Sequence, residues 1–469
     1  MPPYNNLKMV DSSLVKLLQT FNALEKREAR KFLCSPFFNQ RQDLIVLFDF
    51  LTQEKQPDRQ AVWAHLFGQI PLDLPKLRLL MTYLHQLLEQ YLAVRELQQE
   101  PLEMQLRLSV AYRKRGLGEA FERSCKRLEN QLDAQTLRNA DFFDYQYRLR
   151  WEAHQYHYPQ KPTDSSHLHQ AGLSADTAYL TRQLRLLCLH RAHQAVYQSD
   201  SDFPREAALT TYAQSAEFAG LPAVQLYLYC YHMLREPENE QHFQGFKFLL
   251  LHQSACFSAE EMHALYLLAI NYCVRRLNSG DETYYSEALD LYKEGLTREY
   301  LFENEHISRF TYHNIVAAGL HTGELEWVRY FINEYRIRLE RSYRDSSFSF
   351  NLARLEYAYA NYGHVLELLQ KANYRDPLLN LAAKTLLLKT YYDLREFDLL
   401  QSHLDAMRNY IHRKRVLGYH RSATLNLIRF TEKLIRLNPS DKKAAAALRL
   451  AIENEQTLRE KSFLLGVMS

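Results

Sequence analysis

The stretch 352-LARLEYAYANYGHVLELLQKANYRDP-377 is followed by 387-LLKTYYDLREFDLLQSHLDAMRNYI-411, and the two share one order of residue types. Leu352-Ala353, Tyr362, Val365, Leu369, Ala372 and Pro377 mark the first, and Leu387, Tyr391, Phe397, Leu400, Leu404 and Met407 the second. Apolar residues three and four apart fall on one face of a helix. Each stretch therefore reads as two helices joined by a tight turn, and Tyr362 and Phe397 place the units 35 residues apart.

That order, Leu-small-x-x-aromatic followed by a second helix and a closing Pro, resembles the tetratricopeptide repeat, whose unit is about 34 residues. The hairpin at 262–297 carries it again in Leu268-Ala269 with Tyr272 and in Ala288 with Tyr292, around an insertion at Asn278–Asp281. Ile315, Thr322-Gly323, Leu325, Val328 and Ile332 form the next unit, and Leu325 to Tyr362 is 37 residues, so the period drifts. The resemblance is clearest over 260–410 and weaker from 101 to 260. It implies an all-α chain, an α-solenoid of degenerate tetratricopeptide-like hairpins over 101–469, preceded by a helical domain over 1–100. Taken whole, the chain is similar to uncharacterised cytoplasmic helical-repeat proteins of Bacteroidota-type bacteria, a likeness that assigns no site residues. What the repeat implies for function is a concave face lined by first helices, and repeat position puts Asn271, Asn314, Arg354 and Lys389 there.

Composition agrees with helices. Only 13 Gly and 14 Pro punctuate 469 residues, too few for a turn-rich sheet protein. Hydrophobic residues at 46% and charged residues at 24% exclude a disordered chain. The 32 Tyr suit half-buried seams and recognition surfaces alike. A formal charge of +3, from 58 basic and 55 acidic residues, supplies no global field for nucleic acid or an anionic membrane. Six Cys at separated positions, without a C-x-x-C, read as reduced core thiols of a cytoplasmic protein. No run approaches the 18 or so apolar residues of a membrane span, and the polar start Met1-Pro-Pro-Tyr has no apolar signal core.

In the first hundred residues, Ser12-Ser13, Asn22 and Asp58 are candidate helix caps and Ser35–Asn39 a break. Leu77, Leu80-Met81, Leu84, Leu87-Leu88 and Tyr91-Leu92 make one long stripe after Pro75, which serves either as a dimer seam or as the surface on which the short helices pack. Tyr156–Ser166, with two prolines, is the best linker. Near the other end a last helix is expected from Lys442 to about Lys461.

No phosphate-cradling Gly loop, Gly-x-Ser-x-Gly elbow or His-Glu-x-x-His occurs, so nothing favours an enzyme, a cofactor or a metal. His154 with His157 and His190 with His193 have a ligand-like spacing without a third ligand in sight. Two basic runs remain: Arg336, Arg338, Arg341 and Arg344, and the denser Arg408, Arg413, Lys414, Arg415 and Arg421, interleaved with Tyr410 and Tyr419. The reading favoured is a non-catalytic scaffold holding a protein or peptide partner; the alternative is nucleic-acid binding through 408–421.

Overall fold

The computed structural model describes residues 12–54, 57–163, 165–197, 203–371, 376–413, 418–438 and 441–468. The structure is 79% helical, with 23 α-helices among the described residues, so the chain is all-α. Two compact units divide it, Met1–Tyr179 and Leu180–Ser469.

In the first unit, α1 (Ser13–Thr20), α2 (Ala23–Leu33) and α3 (Gln42–Gln53) pack on the long α5 (Leu74–Gln99), and α4 (Arg59–Phe67) packs on α3. The caps are those legible in the sequence. Asn22 Oδ1 accepts from the N–H groups of Leu24 and Glu25, both at 2.9 Å, while Glu25 accepts in return from the Asn22 N–H at 2.8 Å, satisfying orphan donors at both ends of a capping box. Of the stripe, Leu77, Leu80, Leu84, Leu88 and Tyr91 are buried in one cluster with Leu14, Leu33 and Phe48, while Met81, Leu87 and Leu92 are only partly buried against it. Next come α6 (Pro101–Lys114), α7 (Gly118–Asp133) and α8 (Ala140–His157), around a separate core of Leu106, Leu128 and Leu149. The boundary expected near residue 100 falls between these two cores, within the first unit. The division into units comes later, inside α9 (Ser166–Tyr197).

The second unit continues with α10 (Glu206–Ala213), then the hairpins α11 (Pro222–Arg235) with α12 (Glu240–His252) and α13 (Ala259–Asn278) with α14 (Tyr284–Thr297). After them come α15 (Arg309–His321) with α16 (Leu325–Glu334), α17 (Arg341–Ala358) with α18 (Tyr362–Lys371) and α19 (Pro377–Asp393) with α20 (Phe397–Arg413). The chain ends in α21 (Gly418–Arg436), α22 (Lys442–Asn454) and α23 (Lys461–Gly466). First helices touch one another, α11 with α13 and α15 with α17 and then α19. Pro377, read as the close of a repeat, is the first residue of α19, where its missing N–H would have been an orphan anyway.

One turn geometry recurs between paired helices. The Asn361 N–H donates to the Glu356 carbonyl at 2.9 Å and the Glu396 N–H to the Tyr391 carbonyl at 3.0 Å, each bridging a left-handed residue, Ala360 (φ 57°) and Arg395 (φ 58°). Gly116 and Gly323 hold the same place before α7 and α16, with the Leu117 N–H on Tyr112 and the Glu324 N–H on Gly319. This is the Schellman closure, in which a left-handed residue lets the last helical carbonyls find donors. Between α13 and α14 the turn is longer, Ser279–Thr283, and most of the insertion expected there is extra helix on α13.

The tyrosines fill seams. Tyr227, Tyr231, Tyr266, Tyr272, Tyr292 and Tyr312 are all buried in the large core of the second unit. Tyr272 and Tyr312 donate to the carbonyls of Pro237 (2.7 Å) and Ile332 (2.8 Å). Gly319 is required where α15 crosses α16: a Cβ there would overlap the Val328 side chain.

Two features depart from the expected pattern. Between α14 and α15 the chain forms a ribbon, β1 (Phe302–Glu303) with β2 (His306–Ile307), joined by Asn304 and Glu305, both at positive φ as a tight hairpin turn demands. The expected last helix over 442–461 stops at Asn454, resuming only at Lys461. Side chains of α21 draw the intervening chain out of the helix, for Arg429 pairs with Glu455 at 2.8 Å and the Asn426 amide donates to the Thr457 carbonyl at 2.9 Å.

Candidate functional site

Three of the four residues assigned to the groove meet. Asn314 on α15, Arg354 on α17 and Lys389 on α19 line one cavity of about 580 Å³, closed by Thr424 and Leu427 of α21 and by Arg459 and Glu460. Asn271 is exposed on α13 and lies outside it. Phe350, Leu381 and Leu386 add apolar surface to this partly polar lining.

Arg354 is the unusual group. Its Nη1 donates to the His313 carbonyl and to Asn351 Oδ1, both at 3.2 Å, and its guanidinium lies 5.7 Å from the centre of the Phe350 ring. Among the described residues no carboxylate lies within ion-pair distance of it, and Nε and Nη2 make no hydrogen bond. Burial pulls its pKa down to about 10, so it is still a cation at neutral pH. Lys389 differs: its Nζ is 2.9 Å from Glu460 and sits over the rings of Tyr357 and Phe463 at 5.1 and 5.3 Å. The Tyr357 hydroxyl in turn donates to Asp393 at 2.5 Å, which fixes one wall.

Next to Arg354 stands His313, whose Nδ1 lies 2.8 Å from the Asn351 amide nitrogen, a neutral ring accepting the amide N–H. Burial pushes its pKa down to about 4, with the Arg354 and Arg309 charges acting the same way. Arg309 itself pairs at 3.0 Å with Asp376, the N-cap of α19, and so ties α15 to the entry of α19.

The basic run 408–421 is organised differently. Arg408 bonds Asp405 and Glu432, each at 2.8 Å, while Arg413 and Arg421 are exposed. Lys414, Arg415 and the Tyr419 side chain lie outside the described residues, as does Ala372 of the first repeat. In the other run, Arg336 pairs with Asp345, Arg338 with Glu299, and Arg344 caps the carbonyls of Ile337 and Leu339. Among the described residues no cluster of His, Cys, Asp and Glu could hold a metal ion. His157 of the first candidate pair stacks on His167 instead, ring centres 5.4 Å apart. Nor is any described helix long and apolar enough to cross a membrane.

Sequence reasoning missed Arg459 and Glu460, which follow the last helical hairpin and reach the cavity only because the final helix breaks. It also missed His313, for which adjacency to Asn314 in one helix was the available signal. Against family models, curated proteins and solved structures the chain has no match.

Proposed function

We propose that the second unit is a non-catalytic, tetratricopeptide-like helical-repeat scaffold that holds a segment of a protein partner against the first helices α15, α17 and α19. One observation carries this reading: residues chosen by repeat position on three successive first helices, Asn314, Arg354 and Lys389, converge on a single cavity. Convergent polar groups set beside apolar side chains in a concave site can fix the orientation of a bound segment. Repeats that grip an extended chain place polar side chains on this inner face.

A photo-crosslinking residue at Thr385, inside the cavity, should capture a discrete protein partner in native cells. The same residue at Leu399, which is 53% exposed on α20, should capture far less. Equal capture from both positions, or capture of nucleic acid alone, would remove this reading.

A further inference from the structure

We propose that Arg354 is the centre of a carboxylate subsite, built to receive one acidic side chain of the segment held in the α15–α17–α19 cavity. The inference rests on the scaffold reading and adds the chemistry of the ligand.

Several half-buried arginines of this chain are matched with acids, whereas Arg138 and Arg344 turn their donors to backbone carbonyls. Arg276 bonds Asp281 and Glu238 at 2.8 and 2.9 Å, and Arg148 bonds Glu103 through two parallel contacts of 2.8 Å. Arg113 bonds Glu152 at 2.6 Å, and Arg95 bonds Glu25 at 2.7 Å. Arg354 has two neutral acceptors on one nitrogen, and the rest of its donor fork makes no hydrogen bond to the described residues. Half withdrawn from water and without a counter-charge, this guanidinium gains a charged partner when an anion enters the cavity. The planar fork favours an oxyanion that can take two parallel N–H bonds.

Charge at the cavity mouth narrows the class. Lys389 already holds the Glu460 carboxylate, which leaves Arg354 and Arg459 as surplus cations on the lining. A carboxylate brings one negative charge to the fork, whereas a phosphate dianion brings nearly two and meets Glu460 at the same rim. Glu460 is moreover a carboxylate held on the chain itself, at positive φ (56°) on the segment between α22 and α23, and near enough to favour the charged form of Arg354. It therefore competes with an incoming acid, so its removal strengthens binding.

The probes are a hexaglutamate peptide, a hexaglutamine peptide and inorganic phosphate, titrated calorimetrically into the full chain at constant ionic strength. Hexaglutamate should bind at least about tenfold tighter than hexaglutamine. Arg354→Gln should remove that preference, Arg354→Lys should restore only part of it, and Glu460→Gln should tighten hexaglutamate by about threefold or more. Circular dichroism confirms that each variant is folded, and Glu460→Gln tests the idea even if both Arg354 variants unfold. Hexaglutamate binding within about twofold of wild type in folded Arg354→Gln overturns the subsite, as does unchanged binding in Glu460→Gln, or displacement of the peptide by equimolar phosphate. Partner capture at Thr385 with no Arg354 dependence sinks the subsite alone. Arg354-dependent hexaglutamate binding without any capture at Thr385 sinks the scaffold reading alone.

Discussion

In the cavity between α15, α17 and α19 one half-buried cation, Arg354, has no counter-charge, whereas along 408–421 the cations are dense in the sequence and, where described, exposed or already matched. The same side-chain chemistry has different consequences in the two places. A matched pair such as Arg408 with Glu432, only partly withdrawn from water, is screened by solvent and salt and stabilises by about 1 kcal/mol. A shielded cation without a counter-charge interacts several-fold more strongly with whatever anion reaches it, because the surrounding dielectric is lower. Density of Lys and Arg in a sequence is thus a poor guide to where binding is strongest, and desolvation is a better one.

The two regions should separate first by pH. His313 beside Arg354 is held neutral, its pKa dropping from 6.5 to about 4 on folding, chiefly by burial; Arg354, Arg309, Asp376, Asn351 and Ser347 surround it. The unfolded chain binds this proton at higher pH, so the associated stability is complete above pH 6.5 and is lost as pH falls through about 4. The full loss is about 3 kcal/mol. Glu432, held below its ordinary 4.5 by Arg408 against the opposing effect of burial, contributes stability that is present above 4.5 and lost only in stronger acid. Urea melts between pH 7 and pH 4.5 should show a decline that His313→Gln flattens and Glu432→Gln leaves in place. A decline unaffected by His313→Gln would mean that the ring is solvated.

Packing should distinguish the regions next. Gly319→Val drives a side chain into Val328 in the hairpin that carries His313 and Asn314, and overpacking of this kind costs about 1–3 kcal/mol. Ala288→Leu, at a residue only 1% exposed on α14, should cost a similar amount. Arg421→Ala in the exposed run should change stability by less than about 0.5 kcal/mol. Denaturant midpoints measure all three, and an unchanged midpoint for Ala288→Leu would mean that the hairpin register is wrong.

The smallest effect is expected at the turns. Ala360 leads from α17 into α18 and Arg395 leads from the Lys389 helix into the helix of Arg408; both hold left-handed conformations that cost a side-chain-bearing residue more than Gly. Ala360→Gly and Arg395→Gly should each stabilise by about 0.5–1 kcal/mol, raising the melting temperature. A decrease would show that these turns are set by contacts other than the backbone.

Those turns also mark the limit of what was legible beforehand. Helical spacing made the all-α class and the hairpins of α17–α20 readable, and repeat position sufficed to bring Asn314, Arg354 and Lys389 to one place. Gly116 and Gly323 announce their turns, but Ala360 and Arg395 occupy the same conformation without a glycine, so periodicity alone located them. Arg459 and Glu460 could not be placed, because the break after Asn454 depends on Asn426 and Arg429, distant in sequence and adjacent only after folding. The shielding of Arg354 was likewise invisible, since exposure depends on helices that meet in space. Asn271 had the right repeat position but not the cavity, and the longer α13 that carries it belongs to an irregular hairpin.

The central claim is that the shielded cavity, rather than the dense basic run, is the working surface. The most direct test compares Asn314→Ala with Arg354→Ala against Arg413→Ala with Lys414→Ala and Arg415→Ala, titrating the crosslinked partner and, separately, RNA and DNA over a range of salt. The account predicts that the cavity pair weakens partner binding by about thirtyfold or more and that the basic triple stays within about threefold of wild type. Tight nucleic-acid binding with a steep salt dependence that the basic triple abolishes and the cavity pair leaves intact would contradict it.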